Sequence, residues 1–197
     1  MGLPHLIIPN EVVKTIMYEY IRSSFQTAGA FSMNVFKLNE LESKMAYLGD
    51  FKPLINFLAD EIKKQTRIRD YLTGEKVIQS FFLAYLNIID FYVSLSEEEL
   101  NKGYADLILK PFYYKYPDIG YAYLFEFKYI KRTEDVSELT KKLMQKIAES
   151  EAQLQKYAHD DFAQKMLYLE PYATVKLKKG IIIFNGWELV YLEEYNT

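Results

Sequence analysis

The segment Tyr121–Ile130 constrains the fold more than any other stretch of the chain. It reads YAYLFEFKYI, an aromatic-rich run typical of a strand, yet it carries Glu126 and Lys128. Residues i and i+2 of a strand share a face. Leu124, Glu126 and Lys128 therefore point one way, and Phe125, Phe127 and Tyr129 the other. A carboxylate and an ammonium among apolar neighbours are costly unless paired or functional. Glu-x-Lys recurs at Glu42-Ser-Lys44 and Glu61-Ile-Lys63, but in helical surroundings, where a solvated face is expected.

The elements around this strand follow from periodicity. Residues 11–70 read helical, with Asn10 as N-cap of the first helix and Gly29 and Ser32 ending it. Residues 39–47 and 51–69 give further helices, separated by Gly49 and Pro53. Gly74-Glu75 opens another, apolar on a broad face. Residues 88–95 and 103–109 read as strands, and residues 111–120 as the loop before Tyr121. The longest helical pattern covers residues 136–159. Two strands, 175–184 and 187–195, follow across Asn185-Gly186, a type I′ hairpin signal. The order is helices, three strands, a long helix and a strand pair.

Composition removes several chemistries. The chain has 197 residues, about 1.3 domains' worth by length. It has no Cys, hence no disulfide, thiolate nucleophile or Cys-ligated zinc. Its histidines are His5 and His159 alone, which excludes a multi-histidine metal site. The net charge of −3 gives no global basic signal for nucleic acid. No segment reads as a membrane span or export signal, so a cytoplasmic protein is expected. The extended apolar run at residues 6–10 suggests a piece of a longer protein.

Chemistry concentrates in the strand region. Asp is depleted in strands, so Asp106 within 103–109 asks for a reason. Hairpin pairing across the 111–120 loop would bring it beside Glu126. Two adjacent carboxylates raise each other's pKa unless a cation sits between them. Oxygen ligands without Cys or His favour a hard ion, Mg2+ or Mn2+. Lys128, one step along the same face, could then orient a water and stabilise charge on a phosphate. The competing reading of these three residues is a buried ion-pair cluster that stabilises the sheet.

These residues resemble the PD-(D/E)XK nuclease superfamily, whose motif is an acid at the end of one strand and Glu-x-Lys on the next. The likeness is closer to nuclease-like domains at the C-terminus of bacterial proteins with an N-terminal AAA-type ATPase. Gly103-Tyr-Ala-Asp106 and Glu126-Phe-Lys128-Tyr129 carry it. Gln153-Leu-Gln-Lys-Tyr157 is similar to the Gln-x-x-x-Tyr motif of RecB-like members, and Glu75 stands where the superfamily often has a further acid. The resemblance covers roughly residues 70–195.

The resemblance implies an α/β, restriction-endonuclease-like fold: a central mixed sheet flanked by helices, with a helical N-terminal extension. Residues 71–197 would be the nuclease-like domain and residues 1–70 a helical extension to an upstream ATPase domain in the same polypeptide. Asp106 and Glu126, with Glu75, would hold Mg2+ or Mn2+; Lys128 would act on water and phosphate; Gln153 and Tyr157 would brace the site. The implied activity is phosphodiester hydrolysis of nucleic acid, with DNA the expected substrate. The alternative is a non-catalytic module that binds nucleic acid or a partner on the same fold. Glu97-Glu98-Glu99 reads as a solvated loop from which one acid could reach the metal. Tyr113, Tyr114 and Tyr116 read as a packed aromatic loop or a stacking platform. Lys131, Arg132, Lys176, Lys178 and Lys179 could face phosphates, or simply be exposed and solubilising; His159 reads as a helix C-terminal partner.

Overall fold

The structure is a computed structural model that describes residues 16, 34–64, 74–100, 103–158 and 175–196, with the side chains of 96–100, 103–104 and 157–158 outside the description. The chain divides into two compact units, Met1–Met33 and Asn34–Thr197. The architecture below belongs to the second.

Among the described residues, four helices and five strands follow in the order α1 (Val35–Leu48), α2 (Lys52–Lys64), α3 (Glu75–Leu86), β1 (Tyr92–Leu100), β2 (Gly103–Pro111), β3 (Tyr121–Ile130), α4 (Val136–Ala158), β4 (Lys176–Asn185) and β5 (Glu188–Glu194). The strands form one mixed sheet in the order β1-β2-β3-β4-β5. β1, β2 and β3 are antiparallel neighbours, β3 and β4 are parallel, and β5 returns antiparallel on β4. A parallel pair needs a long crossover, and α4 lies in it. This is the restriction-endonuclease-like α/β arrangement, with helices at the N-terminal end.

Local chemistry sets the helix ends. The Asn34 side chain accepts the Lys37 amide at 3.0 Å and caps α1. Gly49 takes a left-handed φ of 73° and sends its N–H to the Met45 carbonyl, stopping α1. Pro53 sits in the first turn of α2, where its missing N–H costs nothing. At α4, Asp135 accepts the Glu138 amide at 3.0 Å, while Glu138 accepts from the Thr133 hydroxyl at 2.9 Å.

β3 is the centre of the structure, buried on both faces. Its aromatic face carries Tyr123, Phe125 and Phe127. Phe51, just before α2, meets Tyr123 and Phe125 edge-on, with ring centroids 5.8 and 5.2 Å away. Phe82 of α3 does the same to Phe127 at 5.1 Å. The Tyr123 hydroxyl donates to the Met45 carbonyl of α1 at 2.6 Å, which satisfies a buried polar group. Gly180 of β4 pairs with Phe125, and a Cβ there would stand 2.8 Å from the Phe125 ring. Its lack of a side chain makes room for the aromatic layer. On the opposite face, Leu124 and Ile130 pack with Ile181 and Ile183 under Leu139, Leu143, Ile147 and Leu154 of α4.

Several expectations shift. The first strand lies at Tyr92–Leu100, so Glu97, Glu98 and Glu99 are strand residues and not a loop. Pairing with β2 holds that backbone extended: Glu98 and Glu99 lie opposite Ala105 and Tyr104. The β4–β5 turn is centred one residue later than expected, because Asn185 pairs with Glu188 and leaves Gly186 and Trp187 as the tight turn. Gly186 supplies the positive φ, 63°. The Asn185 side chain is instead committed to Thr133, accepting its N–H at 3.0 Å and donating to its carbonyl at 2.9 Å. Glu42 and Glu61 are buried and not on solvated faces. Glu61 accepts from Lys64 at 2.6 Å. Neither carboxyl oxygen of Glu42 has a hydrogen-bond partner, and burial, with Asp90 adding to it, pushes its pKa well up. The first helix expected, from the Asn10 cap to the break at Gly29 and Ser32, lies outside the described residues except for Ile16, as does His5.

Residues 34–64 thus contribute core to the sheet. Phe51→Ala removes a fully buried ring from beneath β3 and should cost about 3–5 kcal/mol of stability, read from the shift in urea midpoint. A loss under 1 kcal/mol would mean that Phe51 is not part of this core.

Candidate active site

β2 and β3 pair through Leu109↔Tyr123, Ile108↔Leu124 and Leu107↔Phe125. The ladder stops there, one step short of Asp106. A side chain replaces the backbone partner at that point: Asp106 Oδ2 accepts the Phe127 N–H at 2.9 Å. Continuing the register places Asp106 opposite Glu126, as hairpin pairing predicts. β2 keeps pairing with β1 on its other edge, from Ser96↔Leu107 to Leu100↔Gly103. The sheet therefore opens between β2 and β3, and the opening is lined by Asp106.

Lys128 bridges the two acids. Its Nζ lies 3.1 Å from Glu126 Oε2 and 3.5 Å from Asp106 Oδ2. Alternation along β3 puts Glu126 and Lys128 on the face of Leu124 and Ile130, beneath α4. Glu126 is 0 % exposed and Lys128 9 %, while the Asp106 side chain keeps 16 % of its surface open. The site is a buried charged floor with its opening at Asp106.

Burial raises the Glu126 pKa to about 8; the Asp106 charge pushes the same way, and Lys128 opposes both. Lys128 is itself held above the ordinary lysine value: burial lowers it, and the charges of Glu126, Asp106 and Glu75 outweigh that. Glu75, in the first turn of α3, is raised by burial and by Asp106, partly offset by Lys128, Lys146 and the Tyr129 backbone N–H. These couplings place the start of α3 within the field of the β3 charges.

Among the described residues, no set of three or more His, Cys, Asp and Glu side chains gathers into a metal-holding cluster. Asp106, Glu126 and Lys128 are brought together; Glu75 is brought near without joining a three-ligand set. The donors present still fit a hard divalent ion. Glu126 Oε1 is buried and accepts no N–H or O–H, and the proton that the raised pKa keeps on this carboxyl at neutral pH is one a cation would displace. Mg2+ commonly takes one or two carboxylates and fills its shell with water and substrate phosphate oxygens.

The other expected residues fall as follows. Gln153 is half-buried on α4. Tyr157 is within α4, but its side chain lies outside the described residues, as do His159 and the side chains of Glu97, Glu98 and Glu99. Tyr113 is buried and donates to the Ile119 carbonyl at 3.2 Å. Tyr116 packs tilted against Phe91, with ring centroids 4.6 Å apart, and donates to Asp90 at 2.9 Å. Only Tyr114 of that trio points fully outward, 98 % exposed. Lys131 and Lys176 are exposed. Arg132 covers the Trp187 ring at 4.2 Å, and Lys178 pairs with Glu194 at 2.9 Å. Lys179 reaches over the Tyr195 ring.

Comparison with known proteins agrees with this geometry. A family model of the PD-(D/E)XK nuclease superfamily matches residues 73–194. The chain belongs to this superfamily. No curated protein and no solved structure gives a significant match. The matched span begins just before Glu75 and contains every expected site residue. Sequence reasoning missed Lys146 and Glu149 of α4, whose charges act on Glu75 and Lys128 respectively. Their spacing from Gln153 on one helix row was the available signal.

In metal-free protein, the raised Glu126 pKa links stability to pH. Folding favours its protonated form. That stabilisation is complete below about pH 4.5 and is lost as pH rises through about 8. Glu126→Gln should flatten that part of a urea-midpoint profile measured in EDTA. A profile with the same slope as wild type would show that Glu126 does not titrate there.

Proposed function

We propose that this domain hydrolyses phosphodiester bonds of nucleic acid with the help of a divalent ion, DNA being the expected substrate. The observation that carries this reading is the buried, unpartnered Glu126 oxygen beside Asp106 and Lys128 at an opening in the sheet. Membership in a nuclease superfamily supports the substrate class.

Asp106 and Glu126 would hold Mg2+ or Mn2+, which when bound supplies Lewis-acid polarisation of a phosphate oxygen and a more acidic water. The Phe127 amide fixes the Asp106 carboxylate through Oδ2 and sets its direction at the sheet opening. Glu126 would hold the ion as a carboxylate, which requires loss of the proton that its raised pKa keeps on it in the metal-free protein. Lys128, whose ammonium keeps a donor beyond its contacts with Glu126 and Asp106, would hold the attacking water and offset charge on the phosphate as it develops. The low exposure of Glu126 and Lys128 strengthens those interactions relative to water. Glu75 adds a further negative charge at the edge of the site, and Gln153 with Tyr157 brace it from α4.

The Gly-x-Ala-Asp and Glu-x-Lys-Tyr segments, 103–106 and 126–129, support placement beside an upstream ATPase domain in one polypeptide. Residues 1–33 would then contain the connection, because 34–64 pack on the sheet. Among the described residues no helix is long and apolar enough to cross a membrane. A cytoplasmic setting is part of the same proposal.

The test is cleavage of circular single- and double-stranded DNA in Mn2+. Wild type should cut at least one form, and Lys128→Ala should cut at least about a hundredfold more slowly with an unchanged circular-dichroism spectrum. Wild-type activity in the variant would remove Lys128 from the mechanism. No cleavage of DNA or RNA by wild type would favour the binding-module reading.

A further inference from the structure

Helix α4 covers the charged face of β3. Its buried stripe, Leu139, Leu143, Ile147 and Leu154, packs on Leu124, Ile130, Ile181 and Ile183. Lys146, Glu149 and Gln153 follow one another at three and four residues, so they form a row along one border of that stripe. Lys146, Glu149 and Gln153 are each half-buried, whereas Met144, Ala148 and Glu151 are exposed, so this row lies on the border turned toward the sheet, and two couplings agree. The Lys146 charge acts on Glu75, and the Glu149 charge is felt with Lys128. The row runs along the site.

Lys146 is half-buried, and its ammonium contacts Glu149 Oε2 at 2.7 Å. The two belong to one helix, so this contact is local and is not required to hold α4 on the sheet. The site itself has more negative than positive charge. Glu75, Asp106 and Glu126 face Lys128, and Lys128 is already engaged with two of them. A divalent ion on Asp106 and Glu126 would offset that excess and serve the scissile phosphate, so a neighbouring backbone phosphate has neither that ion nor Lys128 to itself. That phosphate needs a cation that is not a structural partner of the floor. Lys146 is such a cation, and its present partner can be exchanged.

We infer that Lys146 binds a backbone phosphate of the nucleic-acid substrate next to the scissile one, leaving Glu149 for a phosphate oxygen when substrate enters. The inference rests on the nuclease reading above and adds a substrate-binding residue to it. Glu149 acts as a competitor: it holds Lys146 in the free protein and lowers the affinity for phosphate. Charge-assisted contacts of this kind carry no sequence information, so Lys146 contributes affinity and register and does not select bases.

The full chain is assayed on DNA in Mn2+, with binding to the same DNA followed by fluorescence anisotropy in Ca2+ over a range of NaCl. Lys146→Met should raise KM roughly tenfold, about the worth of one charged phosphate contact, with kcat little changed. It should lower the salt-dependence slope of binding by about 0.9 for duplex or about 0.7 for single strands. Lys146→Arg should restore both. Glu149→Gln should lower KM, an effect that loss of a merely structural ion pair would not produce. If wild type cleaves while Lys146→Met keeps its KM and slope, or loses kcat alone, the inference fails and the nuclease reading stands. A raised KM after Glu149→Gln would also overturn it. If wild type neither binds nor cleaves nucleic acid, the nuclease reading fails first and takes this inference with it.

Discussion

One ammonium between two carboxylates sets the terms for the rest of the site. Lys128 contacts Glu126 and Asp106 in a space where Glu126 has no exposure to water. Buried charges are tolerated only when paired and hydrogen-bonded, because desolvation of each ion costs several kcal/mol. Here pairing is incomplete. Asp106 is satisfied by the Phe127 amide and Lys128, whereas one Glu126 oxygen has nothing. The protein answers by raising the Glu126 pKa to about 8, so a proton takes up part of the excess charge at neutral pH. A divalent ion would serve the same end more strongly.

The fold is what makes such an arrangement affordable. Aromatic packing of Phe51 and Phe82 against Tyr123, Phe125 and Phe127 fixes β3 from one side. The apolar stripe of α4 fixes it from the other. Between these layers the strand has little freedom to move its charged side chains to solvent. The separation of β2 from β3 after Leu107 gives the charged floor its access. Asp106 both causes that separation, by taking the Phe127 N–H, and presents its carboxylate at the resulting opening.

Much of this was legible in the sequence. Alternation in Tyr121–Ile130 assigned faces correctly, because period 2 is strict in a strand with both faces packed. The α4 pattern and the Asp106–Glu126 neighbourhood followed from periodicity and hairpin pairing. What was not legible depends on long-range contacts. Glu42 and Glu61 look like solvated helix charges locally, and only packing against the sheet buries them. Glu97–Glu99 looks like a loop by composition, and pairing with β2 makes it strand. Asn185 and Gly186 suggested a turn centred on both, but Asn185 is drawn into the sheet by its bonds to Thr133. Lys146 and Glu149 carry no motif; only the docking of α4 over β3 brings them beside the site.

On the reading proposed above, Asp106 and Glu126 form a cation site whose metal-free form stores a proton on Glu126. Calorimetric titration of Mn2+ at pH 7, repeated in buffers of different ionisation enthalpy, tests it most directly. Wild type should bind saturably with release of close to one proton, since a group titrating near 8 is mostly protonated at that pH. Asp106→Ala and Glu126→Gln should each lose binding. Equal Mn2+ binding by wild type and both variants, or no binding by wild type, would contradict that reading.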